Sequence, residues 1–166
     1  ENELSCQYEI VRTWTATDNC GNEDVQVQVI TVQDTTNPEL SGVPANLTVE
    51  CNNVPTAATP TATDNCDADV TITYAEVRTD GVCEDSYTLT RTWTATDAAT
   101  NSSSEAQVIT VTDTEDPVLA GVPGDTTVEC DAIPAAATPT ATDNCDSNPS
   151  ISLNEVSTQD ANAANS

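Results

Sequence analysis

The chain has no histidine, methionine, phenylalanine or lysine, and its three basic residues are Arg12, Arg78 and Arg91. Without histidine, Ser/His and Cys/His nucleophile pairs and zinc sites built on imidazole are excluded, and a cysteine without a base is a poor nucleophile. Three arginines against 28 acidic residues leave a net charge of −25. Such a chain repels nucleic acid and anionic membranes, because phosphate binding needs Lys and Arg; its natural small partners are cations. Aromatic residues make up only 3% of the chain, too few large side chains to fill one big core. Two small domains with thin cores of Val, Ile, Leu and Ala fit better, each needing outside help with stability. No apolar run is long enough to span a membrane as a helix, and helical spacing is absent. No signal peptide opens the chain, and Glu1 reads as an internal cut from something longer.

What is present is repetition. GVP stands at 42–44 and 121–123, TVEC at 48–51 and 127–130, TATDNCD at 61–67 and 140–146, and RTWTATD at 12–18 and 91–97, all at one offset of 79 residues. The 166 residues therefore hold a little over two units, and the ends do not fall on unit boundaries. Residues 1–37 read as the C-terminal half of a unit, 38–117 as a complete unit, and 118–166 as the N-terminal half of a third.

Within the unit the period is two. Tyr87, Leu89, Arg91, Trp93 and Ala95 alternate with five threonines, and Tyr8, Ile10, Arg12, Trp14 and Ala16 repeat the pattern. This is a strand with one packed face and one threonine face. LTVEC, TPTATD, VTITYAEV and AQVITV read as further strands, punctuated by Pro, Asn, Asp and Gly. The fold class is all-β: tandem immunoglobulin-like antiparallel β-sandwiches of about 79 residues per repeat. Trp14 and Trp93 are core residues by phase. Arg12 and Arg91 share that face, so their stems pack and their heads pair with an acid near the sheet edge.

The ordered set VPANLTVEC, TATDNC, CEDSYTLTRTWTATD and ITVTDTEDP closely resembles the hyalin-repeat-like, immunoglobulin-like modules found in long tandem arrays on secreted bacterial surface proteins. The resemblance covers essentially the whole chain. It implies an extracellular, non-enzymatic module, often part of an adhesin, and names no ligand.

Seven cysteines remain to be placed. Alternating strand directions put Cys51 and Cys83 at one pole of the sandwich, and Cys66 with position 99 at the other. Only same-pole pairs come within bridging distance, so Cys51 is expected to pair with Cys83. Ala99 stands where Cys66 would find its partner, leaving Cys66 a free thiol. Cys130 and Cys145 match Cys51 and Cys66; Cys6 and Cys20 match Cys83 and position 99. Joining the end of one copy to the start of another completes a sandwich with bridges Cys130–Cys6 and Cys145–Cys20 between copies. Bridges of this kind place the chain outside the cytoplasm. The copies are either one period of a longer covalent array or separate subunits that complete each other by strand donation. Either way the partner is self, and an open head-to-tail contact gives a filament. A fragment cut at arbitrary points, with frayed ends, is the competing reading.

The acidic loops carry whatever chemistry the chain has. Hard cations take six to eight oxygens, which clustered Asp and Asn supply. Asp64, Asp67 and Asp97 fall at the second pole with Asp34 of the entering linker. Asp113 and Asp116 of the next linker face Asp143 and Asp146 and, in the joined unit, Asp18 of another copy. The expected cofactor is calcium at the domain junctions; solvated loops with Asx turns are the alternative. Paired acids can also serve glycoside hydrolysis, but these repeat with the module and no aromatic platform accompanies them, so no enzyme is expected. Asn46 and Asn101 fit the N-glycosylation pattern. Thr35 and Thr126, in Asp-Thr-Thr, resemble the O-glycan sites of bacteria carrying such arrays; bare threonines chosen for β propensity are the alternative.

The sequence thus predicts a structural, non-catalytic segment of an extracellular fibre or surface stalk, stiffened by disulfides and calcium. The competing function is an adhesive or carbohydrate-binding module of a larger secreted protein.

Overall fold

The structure is a computed structural model that describes residues 7–157. It is all-β. The strands are β1 Tyr8–Thr17, β2 Glu23–Val32, β3 Glu39–Ser41, β4 Leu47–Glu50, β5 Thr61–Thr63, β6 Thr71–Asp80, β7 Tyr87–Thr96, β8 Ser102–Thr112, β9 Val118–Ala120 and β10 Thr140–Thr142. Among the described residues no helix is long and apolar enough to cross a membrane.

The middle of the chain forms a two-layer sandwich. One layer is a four-stranded sheet in the order β4-β8-β7-β6, and the other is the short pair β3-β5. Strand β7 lies at the centre of the larger sheet, and its alternation is realised in burial: Leu89, Arg91, Trp93 and Ala95 are buried, while the threonines between them are half-exposed. Trp93, only 2% exposed, packs with Leu40 of the opposite layer and with Val43, Ala58, Ala62, Val70 and Ile72. A second cluster joins Leu89, Ile109 and Val111 to Leu47, Val49 and Val54. The sheet is antiparallel except that β4 pairs with β8 in parallel; both strands run toward the same pole, and β4 reaches that edge by crossing over from β3.

The buried arginine has the acid its position demands. Arg91 Nε donates to Glu76 Oε2 at 2.7 Å, directly across the β6–β7 ladder. The Arg91 bond, aided by the Tyr74 hydroxyl, holds the Glu76 carboxyl below its usual range. Tyr74 completes the cluster, its ring 5.4 Å from that of Trp93.

The flanking segments use the same words without the same surroundings. Strands β1 and β2 pair over their full length into a hairpin that repeats β7–β8, but among the described residues no other strand joins their sheet. Trp14, the counterpart of Trp93, is 54% exposed. Tyr8, Ile10, Val25, Val27 and Val29 are exposed with it. At the other end β9 pairs with β10 through Leu119↔Ala141, as β3 pairs with β5 through Leu40↔Ala62. The counterparts of β4 and β6, around residues 126–129 and 150–157, form no strand. Their words match those that pair with β8 and β7, and among the described residues no strand pairs with them. Backbone positions repeat too: Gly42 and Gly121 have φ of +87° and +82°. Thr100 takes the left-handed φ of +73° that Gly21 takes, at +87°, in the equivalent turn. A β-branched residue there costs on the order of 1–3 kcal/mol.

Trp93→Ala is expected to destabilise the sandwich by about 3–5 kcal/mol, whereas Trp14→Ala in dilute, monomeric chain should cost a few tenths. Urea melts of the two variants check this; equal losses would mean that the two tryptophans share one environment.

Candidate functional site

Two places gather chemically distinctive side chains, and they lie at opposite poles of the sandwich. The first is the pole where the chain enters from β2. Oxygens of Asp34, Asp64 and Asp97 all lie within 4.8 Å of one another, with Asp34 and Asp97 buried and Asp64 half-buried.

Each carboxylate is positioned by its own loop. Asp97 spans the β7–β8 turn: its Oδ1 accepts from the Asn101 backbone N–H and its Oδ2 from the Asn101 side-chain amide, each at 2.8 Å. Asn101 also donates to the Asp34 carbonyl, tying the linker to the turn. Asp34 Oδ1 caps Thr36 N–H at 3.1 Å. Asp64 Oδ1 accepts from the N–H groups of Cys66 and Asp67, at 2.8 and 3.1 Å. Its second oxygen, Oδ2, is buried without a partner. Three carboxylates this close repel by about 3 kcal/mol per pair at a near-surface effective dielectric. Hydrogen bonds to turns offset part of this, and none is available to Asp64 Oδ2.

The other expected metal residues are placed differently. Asp67 is a clamp outside the cluster: Oδ1 accepts from Asp69 N–H and Oδ2 from Ala98 N–H at 2.8 Å, pinning the β5–β6 loop to the β7–β8 turn. This contact puts Cys66 and position 99 at one pole, as the strand count predicts. Asp18 reproduces the Asp97 turn, its carboxyl held low chiefly by the Asn22 amide. Asp143 reproduces Asp64, accepting from the Asp146 and Cys145 N–H groups, which lower its pKa in that order. Asp146 caps Asn148 as Asp67 caps Asp69. Its other oxygen has no counterpart of Ala98 to accept from. Asp113 lies with Glu50 and Cys145, their ligand atoms mutually within 4.8 Å, and Asp116 is exposed.

The second place is this opposite pole, where the chain leaves the sandwich. Here the structure corrects the expected bridges. Cys51 is bonded to Cys145, with a Cα–Cα distance of 5.7 Å, and Cys83 keeps an exposed free thiol that contacts Ser86 Oγ. Cys51 and Cys83 do share a pole. However, they follow β4 and β6, the two edges of the four-stranded sheet, and three inter-strand spacings separate them by about 14 Å, twice what a bridge spans. Cys145 is therefore not available to Cys20, which is a free exposed thiol, as is Cys130. Cys66 is disulfide-bonded rather than a free thiol. Cys6 lies outside the described residues.

The bridge crosses a unit boundary, which pairing within one sandwich could not find. The signal was the short linker: with only residues 113–117 between β8 and β9, the exit pole of one unit adjoins the entry pole of the next. The linker is anchored as well, since Thr114 Oγ1 donates to Glu50 at 2.6 Å. Closing this loop of 94 residues stabilises by roughly 4–5 kcal/mol on the chain-entropy model.

Among the glycan positions, Thr35 and Thr126 are exposed. Asn46 is exposed, but its side-chain oxygen accepts from Val108 N–H. The Asn101 amide is committed to Asp97, so a glycan there would break the turn that holds the acidic cluster.

Sandwich, repeat and bridge together define a disulfide-linked, immunoglobulin-like β module. Residues 41–111, somewhat under half of the chain, match the family model described as an HYR-like domain with four cysteines. It contains Cys51, Cys66 and Cys83; the repeat puts a fourth cysteine at the position of Ala99. No curated protein matched the chain.

Asp64→Asn keeps the Oδ1 acceptor and turns the unpartnered oxygen into a donor aimed at its acidic neighbours. In metal-free buffer this variant should melt several degrees above wild type, a gain of about 1–2 kcal/mol. A lower melting temperature without metal would mean that Asp64 is already balanced by contacts within the chain.

Proposed function

We propose that the protein is a non-catalytic structural element of an extracellular fibre or surface stalk, built by joining the terminal half-units of successive copies. One observation carries this reading: Trp14 is 54% exposed where its repeat Trp93 is 2% exposed, and an open apolar trough stands where a second tryptophan would fit. The trough, about 700 Å³ in volume, is lined by residues that include Leu119, Val122, Ala137, Pro139 and Ile151. Four of the five repeat Leu40, Val43, Ala58 and Ile72, the side chains that enclose Trp93.

Charge and hydrogen bonding favour the same match. Arg12 repeats Arg91 and Glu155 repeats Glu76, so the joined unit regains the buried ion pair. Asn19 repeats Ala98 and offers its N–H to the idle oxygen of Asp146. Strands β1 and β2 would give residues 126–129 and 150–157 the partners that turn their counterparts into β4 and β6. These matches favour complementary halves over an arbitrary fragment. They serve equally a covalent array and strand donation between subunits.

Calcium fits the first pole. Asp34, Asp64 and Asp97 would contribute oxygens to a hard cation, and Asp64 Oδ2 is an orphaned buried acceptor suited to one. Bound calcium would cancel the mutual repulsion and lock the entering linker to the β7–β8 turn, stiffening the junction. In the joined unit, Asp18, Asp113 and Asp143 are the corresponding set.

Assembly is tested by charge reversal. The 166-residue chain at high concentration should form beaded filaments in negative stain. Arg12→Glu or Glu155→Arg alone should abolish them, and the two variants mixed should restore filaments in which they alternate, since each end of one variant meets the opposite charge on the other. Unchanged filaments in both single variants would sink the reading.

The calcium arm is read separately. Saturating calcium at a hundredfold over Kd should raise wild-type stability by about 2.7 kcal/mol, and Asp64→Asn should lose that gain. Chelator should leave filaments longer-bending but intact; melting curves indifferent to calcium would remove the metal and leave the fibre.

A further inference from the structure

The Cys51–Cys145 bridge joins the exit pole of one unit to the entry pole of the next. Everything that builds it recurs one repeat away. On the exit side Glu50 and Cys51 return as Glu129 and Cys130. On the entry side Asp113, Thr114, Asn144 and Cys145 have Asp34, Thr35, Asn65 and Cys66 as counterparts. In the observed junction Thr114 donates to Glu50, Asp113 and Glu50 flank Cys145, and the Asn144 carbonyl lies 3.5 Å from Cys51 Sγ. Within one chain the second set cannot meet: Cys130 follows the complete sandwich, and Cys66 lies at that sandwich's entry pole. Cys130 is an exposed free thiol.

We propose that Cys130 of one copy forms the same bridge with Cys66 of the next, so that one type of disulfide staples every junction of the fibre. The inference rests on the head-to-tail reading above, which brings the exit pole of the joined unit against the entry pole of the next complete one. Cys66 is already in a disulfide, so the link forms by exchange. The Cys130 thiolate attacks Cys66 Sγ, the existing S–S bond breaks, and the former partner leaves as a thiolate that takes up the proton Cys130 gave away. One S–S bond is made and one is broken, and no oxidant is consumed. Glu129 is placed to receive the Thr35 hydroxyl as Glu50 receives that of Thr114, anchoring the linker before the sulfurs meet.

The test uses the full chain, as an equal mixture of isotopically light and heavy copies, incubated at high concentration in a glutathione redox buffer. Non-reducing gels should show a covalent ladder, and mass spectrometry should find mixed-isotope peptides joining Cys130 to Cys66. Cys130→Ser should abolish the ladder while filaments remain visible by electron microscopy, dissociating in denaturant; Cys20→Ser and Cys83→Ser should leave the ladder in place. A ladder that survives Cys130→Ser, linked peptides that join Cys130 to another cysteine, or wild-type filaments without covalent links would each overturn the staple while leaving the fibre standing. Absence of filaments in every variant would overturn the fibre reading itself, and the staple with it.

Discussion

The structure depends on one constraint: the packed face of the Tyr-Leu-Arg-Trp-Ala strand is buried only when the front half of a unit lies over it. Where that half is present, Trp93 sits among Leu40, Ala62 and Ile72 and Arg91 meets Glu76. Where it is absent, the same strand in β1 remains a lone hairpin with its tryptophan in water. Identical local sequence gives identical strand pairing in both places, because the ladder of β1–β2 is a local hairpin. Burial is not local, and with aromatics at 3% of the chain there is little else to stabilise a half-unit.

The front half shows the reverse dependence. Its short β9–β10 pair forms, since those strands find each other within the segment, and its Asp143 loop folds on its own hydrogen bonds. Its longer edge segments do not become strands, because a strand's backbone needs a ladder partner. Each terminal segment therefore keeps what it can build alone. Charge follows the same logic. Among the described residues of a chain with 28 acids and three arginines, three acids lie within a few ångströms of one another where turns donate N–H groups to them. The pole that holds Asp34, Asp64 and Asp97 exhausts that supply one oxygen short.

Much of this was legible in the residues. The period of two named the strands, the offset of 79 named the unit, and phase put Trp93 and Arg91 inside. The acidic trio was also legible, since strand direction brings Asp64 and Asp97 to one pole and the linker adds Asp34. Asp67 was not separable from them by composition; only its two hydrogen bonds, to Asp69 and Ala98, make it a clamp. The bridges were misread for a definable reason. Strand direction tells which pole a cysteine occupies, not where it lies across the sheet. Strand order, which sequence leaves open, put Cys51 and Cys83 at opposite edges, and the unit boundary hid Cys145 from a search confined to one sandwich.

That boundary also accounts for the alanine at position 99. If bridges closed within a unit, replacing the cysteine there would strand Cys66 and cost the domain a cross-link. Cys145, which occupies the Cys66 position in the next unit, bonds across the junction to Cys51, and Cys66 is itself bonded although position 99 offers no sulfur. The turn at 97–101 is held by Asp97 and Asn101, just as Asp18 and Asn22 hold the turn that retains Cys20. Cys20 makes no disulfide there. A cysteine at this position is therefore dispensable to the turn itself, and its absence at position 99 leaves the cross-link between Cys51 and Cys145 untouched.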